Sequence, residues 1–209
     1  MPYIIKSVFY TLQGEGARSG RPAVFVRFAG CNLWSGREQD RGSAACRFCD
    51  TDFVGGERYE DAHAVVAAAE AVWPGNPLMV RPRAYVVFTG GEPALQLDRA
   101  LIAAFRSRNW ETAIETNGTR PLPPGLHWVC VSPKADAKLA VTSGDELKLV
   151  YPQQEAEPSR YERLDFGRFY LQPMDGPARG LNEQAAARYC LEHPTWSLSI
   201  RIHKALGLP

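Results

Sequence analysis

Cys31 is followed by fourteen residues, then Cys46, two more residues and Cys49, so three of the five cysteines crowd into one short stretch. Three thiolates can hold three irons of a 4Fe–4S cluster and leave the fourth open to an outside ligand. An open iron lets a cluster do chemistry instead of only carrying electrons. Read alone, the same residues also suit zinc, with His63 as fourth ligand, or three unrelated buried thiols. Cys130, in an apolar run, and Cys190, on an apolar helix face, read as small core residues. His63, His127 and His193 stand isolated.

A second chemical signal is Phe88-Thr89-Gly90-Gly91-Glu92-Pro93, at the end of a strand-like run. Paired glycines let the backbone approach a ligand closely, and the adjacent carboxylate accepts from an ammonium. Further polar segments sit in equivalent places: Glu115 to Gly118, Ser132-Pro133-Lys134, and Gln172-Pro173-Met174-Asp175 each follow an apolar run. In a parallel barrel the carboxyl ends of the strands share one rim, where loops build a single site.

The elements that must position these residues are legible as periodicity. Short, nearly continuous apolar runs occur at 23–28, 84–88, 112–114, 128–131, 147–150, 169–171 and 198–202, as expected for strands covered on both faces. The stretch 4–10 reads as an added edge strand or hairpin arm. Helical spacing is found at 61–73, 98–108 and 182–193, the last opening on Asn182 as N-cap. No helix is readable between Glu115 and Phe169. The expected fold class is α/β: an abbreviated, partial TIM-like barrel of about six parallel strands with only about three helices. One domain spans 1–209, with a cluster loop at 31–53 and a short C-terminal extension over the site.

Composition narrows the class. Twenty-four Lys and Arg against 23 Asp and Glu leave a net charge of +1, so no global field draws the chain to nucleic acid or to a membrane. No apolar run approaches the roughly 20 residues that span a bilayer. Met1 to Lys6 lack a basic region followed by an apolar core, so the expected location is cytoplasmic, where clustered cysteines bind metal more often than they form disulfides.

Taken together, Cys46-Arg47-Phe48-Cys49, the later Gly-Gly-Glu-Pro and this barrel resemble the radical S-adenosylmethionine (SAM) enzymes. More specifically, the chain resembles the 7-carboxy-7-deazaguanine synthases of queuosine and 7-deazapurine biosynthesis. That pattern runs through Phe9 to Gly16, Arg27 to Trp34, Cys49 to Asp52, Thr89 to Pro93, Glu115 to Thr119, and Ser132 to Lys134. Most radical SAM enzymes space their cysteines by three residues, then two. The gap of fourteen here is similar to a subgroup of the synthases, and 35–45 carries no assigned role.

The resemblance implies roles. Cys31, Cys46 and Cys49 bind a 4Fe–4S cluster, whose open iron takes SAM and cleaves it to a 5′-deoxyadenosyl radical. SAM contacts fall on Phe48, Cys49, Asp50, Gly91, Glu92, Asn117, Ser132, Pro133, Lys134, Gln172, Pro173, Met174 and Asp175. Gly91 and Glu92 hold the methionyl amine. The substrate, 6-carboxy-5,6,7,8-tetrahydropterin, meets Leu12, Gln13, Gly14 and Glu15 near the same rim, with Arg27, Thr89, His203 and Pro209. Arg27 is a rigid fork suited to a carboxylate. Thr51 matches a Mg²⁺ ligand, an ion that keeps waters and takes few protein oxygens. The implied reaction is hydrogen abstraction, ring contraction and loss of ammonia, a carbon–nitrogen lyase chemistry. A reductant such as flavodoxin or ferredoxin and a homodimer are implied too, with no direct nucleic-acid or membrane partner. Two other readings remain open: an activating enzyme for a glycyl-radical partner, and a zinc-stabilised nucleic-acid-binding module.

Overall fold

A computed structural model describes residues 2–79, 83–135 and 137–209. The chain forms β1 (Tyr3–Leu12), β2 (Pro22–Phe28), β3 (Glu57–Tyr59), α1 (Ala62–Val72), β4 (Tyr85–Gly90), α2 (Arg99–Ser107) and β5 (Glu111–Thr116). There follow β6 (Trp128–Val131), β7 (Ser143–Gly144), β8 (Glu146–Tyr151), β9 (Asp165–Phe166), β10 (Phe169–Pro173), α3 (Arg179–Glu192), β11 (Trp196–Leu198) and α4 (Ile202–Ala205). One nine-stranded sheet has the order β11-β10-β8-β6-β5-β4-β2-β1-β3, and β7 pairs with β9 separately. From β2 to β11 neighbouring strands are parallel, so their carboxyl ends share a rim. The parallel set numbers seven, because three-residue β11 joins the six expected.

Helices cover only part of the outside. Those readable in sequence are present because each apolar stripe has a capped start or a sheet face to cover. Asp61 accepts from the Ala64 N–H and Asp98 from the Leu101 N–H, both at 2.9 Å, caps of about 1 kcal/mol each. Val65, Val66 and Ala69 of α1 and Leu101, Ile102 and Phe105 of α2 seal one sheet face against Val24, Val26, Phe28, Val86, Phe88 and Ile114. On the inner face, alternate residues Ala23, Tyr85, Val87 and Ala113 close the lower barrel with Phe25 and Trp128. Strand alternation then leaves Arg27, Thr89, Glu115 and Lys148 on the inner face above them.

Two local expectations are corrected. The run 198–202 is not a strand: β11 ends at Leu198, and the Ile202 N–H donates to the Gly14 carbonyl at 3.0 Å as α4 begins. Its alternating Leu198, Ile200 and Ile202 mimic a strand, yet Ile200 faces solvent. Asn182 is not an N-cap, since α3 starts at Arg179 and the Asn182 amide instead donates to the Met174 carbonyl at 2.9 Å.

The stretch 4–10 is the middle of β1, which runs antiparallel to β2 with Leu12 opposite Pro22. Gln13 to Arg18 therefore begin at the foot of β2 and cross the open side of the barrel towards β8 and the segment after β11. Gly16 N–H donates to Ser199 Oγ at 2.8 Å, and Ala17 N–H to Glu146 at 2.9 Å.

Candidate active site

A cavity of about 680 Å³ opens over the carboxyl ends of the parallel strands. Cys31, Cys46 and Cys49 all line it. Cys31 follows the turn after β2, where Gly30 takes φ 84°. Cys46 is buried, and its backbone N–H reaches the Leu33 carbonyl at 3.4 Å. A hydrogen bond between the last two thiols divides them: it drives Cys46 far above the ordinary thiol range and draws Cys49 down to about 6. Burial raises Cys31. Among the described residues, no three His, Cys, Asp or Glu side chains gather closely enough for a single ion. The three thiols share one cavity, and a set of three thiolates is the donor set that holds a 4Fe–4S cluster with one iron left open.

The loop between the cysteines folds onto them. Arg41 donates to the carbonyls of Arg47 and Cys49 at 2.9 and 3.1 Å and lies 4.1 Å from the Trp34 ring centroid. Trp34 packs edge-on to Phe53.

The paired glycines serve this packing. A Cβ on Gly91 would lie 2.0 Å from the Gly30 carbonyl oxygen and 2.9 Å from Cys31 Cβ; one on Gly90 would lie 2.2 Å from the Phe28 oxygen. The close approach is thus to the backbone entering the cysteine loop. Glu92 is fully buried and does not reach the cavity. Its oxygens accept from Thr116 Oγ1 at 2.6 Å, the Asn117 N–H at 2.7 Å and the Ala94 N–H at 2.9 Å. Burial raises its pKa, against those donors. Glu92 ties the β4 turn to the β5 turn.

Other expected cofactor residues divide in two. Phe48, Asp50, Gly91, Asn117, Ser132, Lys134 and Gln172 line the cavity. Lys134 Nζ donates to the Ser132 carbonyl and hydroxyl at 2.7 and 2.6 Å, and burial lowers its pKa against the pull of Cys46 and Cys49. Asn117 caps the turn at Thr119 and also donates to Asn32 at 3.1 Å. Pro133, Pro173, Met174 and Asp175 stand off the cavity; Pro173 and Asp175 border a small neighbouring hollow with Arg201.

Leu12, Gln13, Gly14, Glu15, Arg27, Thr89, His203 and Pro209 line the same cavity. Leu12 to Glu15 reach this cavity from the foot of β2, delivered by antiparallel β1, and meet the segment after β11 through the Gly14 carbonyl and Glu15. His203 Nδ1 is buried without a partner among the described residues, and a Cβ on Gly14 would sit 1.8 Å from it. Thr11 Oγ1 donates to Pro209 O at 3.3 Å. Arg27 lies over the Phe9 ring at 5.6 Å, and its guanidinium has no ion pair among the described residues. Burial lowers its pKa, opposed by Asp50, Glu115 and Asp52. Thr51 lines the cavity between Asp50, paired with Arg201 at 2.7 Å and Lys204 at 2.8 Å, and Asp52, paired with Lys6 at 2.8 Å.

Sequence reasoning passed over Lys148, Arg201 and Lys204, which all line the cavity. Lys148 had a signal: a lone ammonium inside the apolar run Leu147–Val150. Arg201 and Lys204 had none, because the ends of their contacts lie far along the chain.

Relatives with this whole-chain pattern decide the family. The chain is 58% identical over 214 residues to the 7-carboxy-7-deazaguanine synthase of Caulobacter vibrioides, covering all of both chains. It is 56% identical to that of Nitratidesulfovibrio vulgaris and 55% to that of Bordetella pertussis, again at full coverage of both. The chain belongs to the 7-carboxy-7-deazaguanine synthase family. No family model matches it. The fold is shared with the crystal structure of QueE from Escherichia coli, at TM-score 0.70 and 22% identity, over 96% of this chain and 94% of that one. The partial α/β barrel with few helices is therefore the family fold. Among the described residues no helix is long and apolar enough to cross a membrane.

Proposed function

We infer that this family member is a radical SAM enzyme that converts 6-carboxy-5,6,7,8-tetrahydropterin to 7-carboxy-7-deazaguanine with loss of ammonia. One observation carries the reading: three thiols and an unpaired arginine line one cavity. A 4Fe–4S cluster on Cys31, Cys46 and Cys49 supplies, when bound, the electron that cleaves SAM. Lys134 offers a half-buried cation near the thiols, suited to the cofactor's carboxylate, and Ser132 fixes its direction. Phe48 offers a flat apolar wall for the adenine, and Gly91 and Asn117 its backbone and amide edges. Glu92 acts indirectly by holding Asn117.

Arg27 receives the pterin carboxylate, a match of a planar fork to a planar anion. Leu12 to Glu15, Thr89, His203 and Pro209 line the walls available to the pterin. Thr51 would supply one protein oxygen to Mg²⁺, an ion that would hold an anionic group of the substrate there. A small electron-transfer protein of the flavodoxin or ferredoxin type serves as reductant. The working form is a cytoplasmic homodimer.

The test is anaerobic incubation of the reconstituted chain with SAM, a reductant, Mg²⁺ and the carboxypterin, followed by mass spectrometry. Contracted product, ammonia and about four irons per chain are expected. Zinc in place of iron, or SAM cleavage without any pterin turnover, would refute the reading.

A further inference from the structure

After Ser199 the chain buries no further residue: from Ile200 to Pro209 each is half-buried or exposed. A segment without apolar anchorage keeps its place only through polar contacts for which water competes. Nevertheless His203, Leu208 and Pro209, on and after α4, form part of the cavity wall. Two contacts set this segment down on β1 and the turn after it. The Ile202 N–H donates to the Gly14 carbonyl at 3.0 Å, and Pro209 O accepts from Thr11 Oγ1 at 3.3 Å.

The rest of the attachment is ionic. Lys204 Nζ donates to Asp50 Oδ2 at 2.8 Å and to Asp175 Oδ2, and Arg201 Nη1 reaches the same two oxygens at 2.7 and 3.4 Å. Two cations thus alternate with two carboxylates in a closed clamp. Both carboxylates stand on fixed chain. Asp50 follows Cys49 in the cysteine loop, and Asp175 follows Met174, whose N–H donates to the Tyr151 carbonyl at 2.8 Å and whose own carbonyl accepts from Asn182 at 2.9 Å. An isolated surface pair contributes little, but in a network each side chain already fixed lowers the entropy cost of the next. Each cation faces two carboxylates, so neither is left to bind an anion in the cavity. Asp175 itself stands off the cavity and cannot touch a ligand there.

We propose that Lys204 and Asp175 are positioning residues for the substrate site: by clamping α4 between the cysteine loop and the turn after β10, they hold the wall that contains His203 and Pro209 closed over the bound ligand. This rests on the carboxypterin reading and deepens it, since it names what keeps one side of that site in place. The sign of one effect separates this role from a purely electrostatic one. Through its field alone, loss of the Asp175 charge would strengthen binding of an anionic ligand. Through the clamp, the same change loosens α4 and weakens that binding.

The test pairs two measurements on the cluster-loaded enzyme: an anaerobic titration with the carboxypterin, with SAM and without reductant, and hydrogen–deuterium exchange over residues 200–209 without the pterin. Asp175→Asn and Lys204→Met are each expected to weaken binding roughly 3- to 10-fold, the scale of one partly exposed ion pair within a network. Exchange over 200–209 should quicken by a similar factor in both. The double variant should fall well short of the product of the single effects, because both changes open one clamp. Lys204→Arg, which can still bridge both carboxylates, should stay within about twofold of the parent. Unchanged or tighter binding by Asp175→Asn, unchanged exchange in either variant, a loss in Lys204→Arg equal to that in Lys204→Met, or single effects that multiply overturns the proposal. A parent enzyme that takes up iron and SAM but binds no carboxypterin overturns the functional reading itself, while the exchange result, which needs no ligand, still decides whether the clamp holds α4.

Discussion

Arg41 donates to the main-chain carbonyl of Cys49 at 3.1 Å, across eight residues of the cysteine loop. The same guanidinium bonds the Arg47 carbonyl and stacks on Trp34, so the fourteen-residue loop between Cys31 and Cys46 folds back as a brace for the Cys46–Cys49 turn. Arg41→Ala is expected to speed loss of iron from the reconstituted protein by roughly tenfold, the scale of one charge-assisted hydrogen bond. Iron per chain followed over hours under a chelator is the measurement. Unchanged iron retention would show that the insertion does not support the turn.

Arg27→Ala removes a cavity cation that has no ion pair among the described residues, without touching a cysteine. Pterin turnover should fall by at least about 100-fold, in line with loss of a bidentate charged contact. Iron content should match the parent, and slow reductive cleavage of SAM should persist. Product formation at the parental rate would remove Arg27 from the substrate site.

Gly91→Ala places a methyl group 2.0 Å from the Gly30 carbonyl oxygen, where only backbone stands to give way. Destabilisation of about 1–3 kcal/mol or more is expected, with poorer cluster loading because the Gly30–Cys31 turn must shift. Thermal unfolding and iron analysis test this together. A thermal midpoint equal to the parent's would show that the turn is more yielding than its packing implies.

Glu15 gives a pH signature. Its ordinary pKa of 4.5 falls to about 2 in the folded chain: burial opposes ionisation, but Lys148 and Arg201 outweigh it. A depressed carboxylate stabilises the fold above its unfolded pKa, and that contribution disappears as pH falls through the folded value. Comparing iron-free parent with Glu15→Gln, the parent's advantage in thermal midpoint should be greatest above about pH 5 and shrink towards pH 2. At most roughly 3 kcal/mol is at stake. An advantage that does not vary with pH would sink the ion-pair account.

The helices and rim were legible because their causes are local. Asp61 and Asp98 announce capped helices, and the missing helices between β5 and β10 are visible as short Pro- and Gly-rich connections. Asn182 and the run 198–202 misled because each satisfies a local pattern that a distant partner overrides. Asn182 bonds the loop after β10, and Ile202 bonds Gly14 from across the barrel opening.

By itself the sequence determined the family, the cysteine trio and the parallel rim, since spacing, hydropathy and motif order are properties of neighbouring residues. Only the tertiary structure decided that Gln13 to Glu15 enter the cavity from the foot of β2. It also decided that Glu92 is a buried brace and that Lys148 joins Glu15 to Glu115. These facts depend on strand direction and on ion pairs between residues as far apart as 15 and 148. A chain folds such groups together only when the whole sheet fixes where each strand ends, so no local stretch of sequence encodes their meeting.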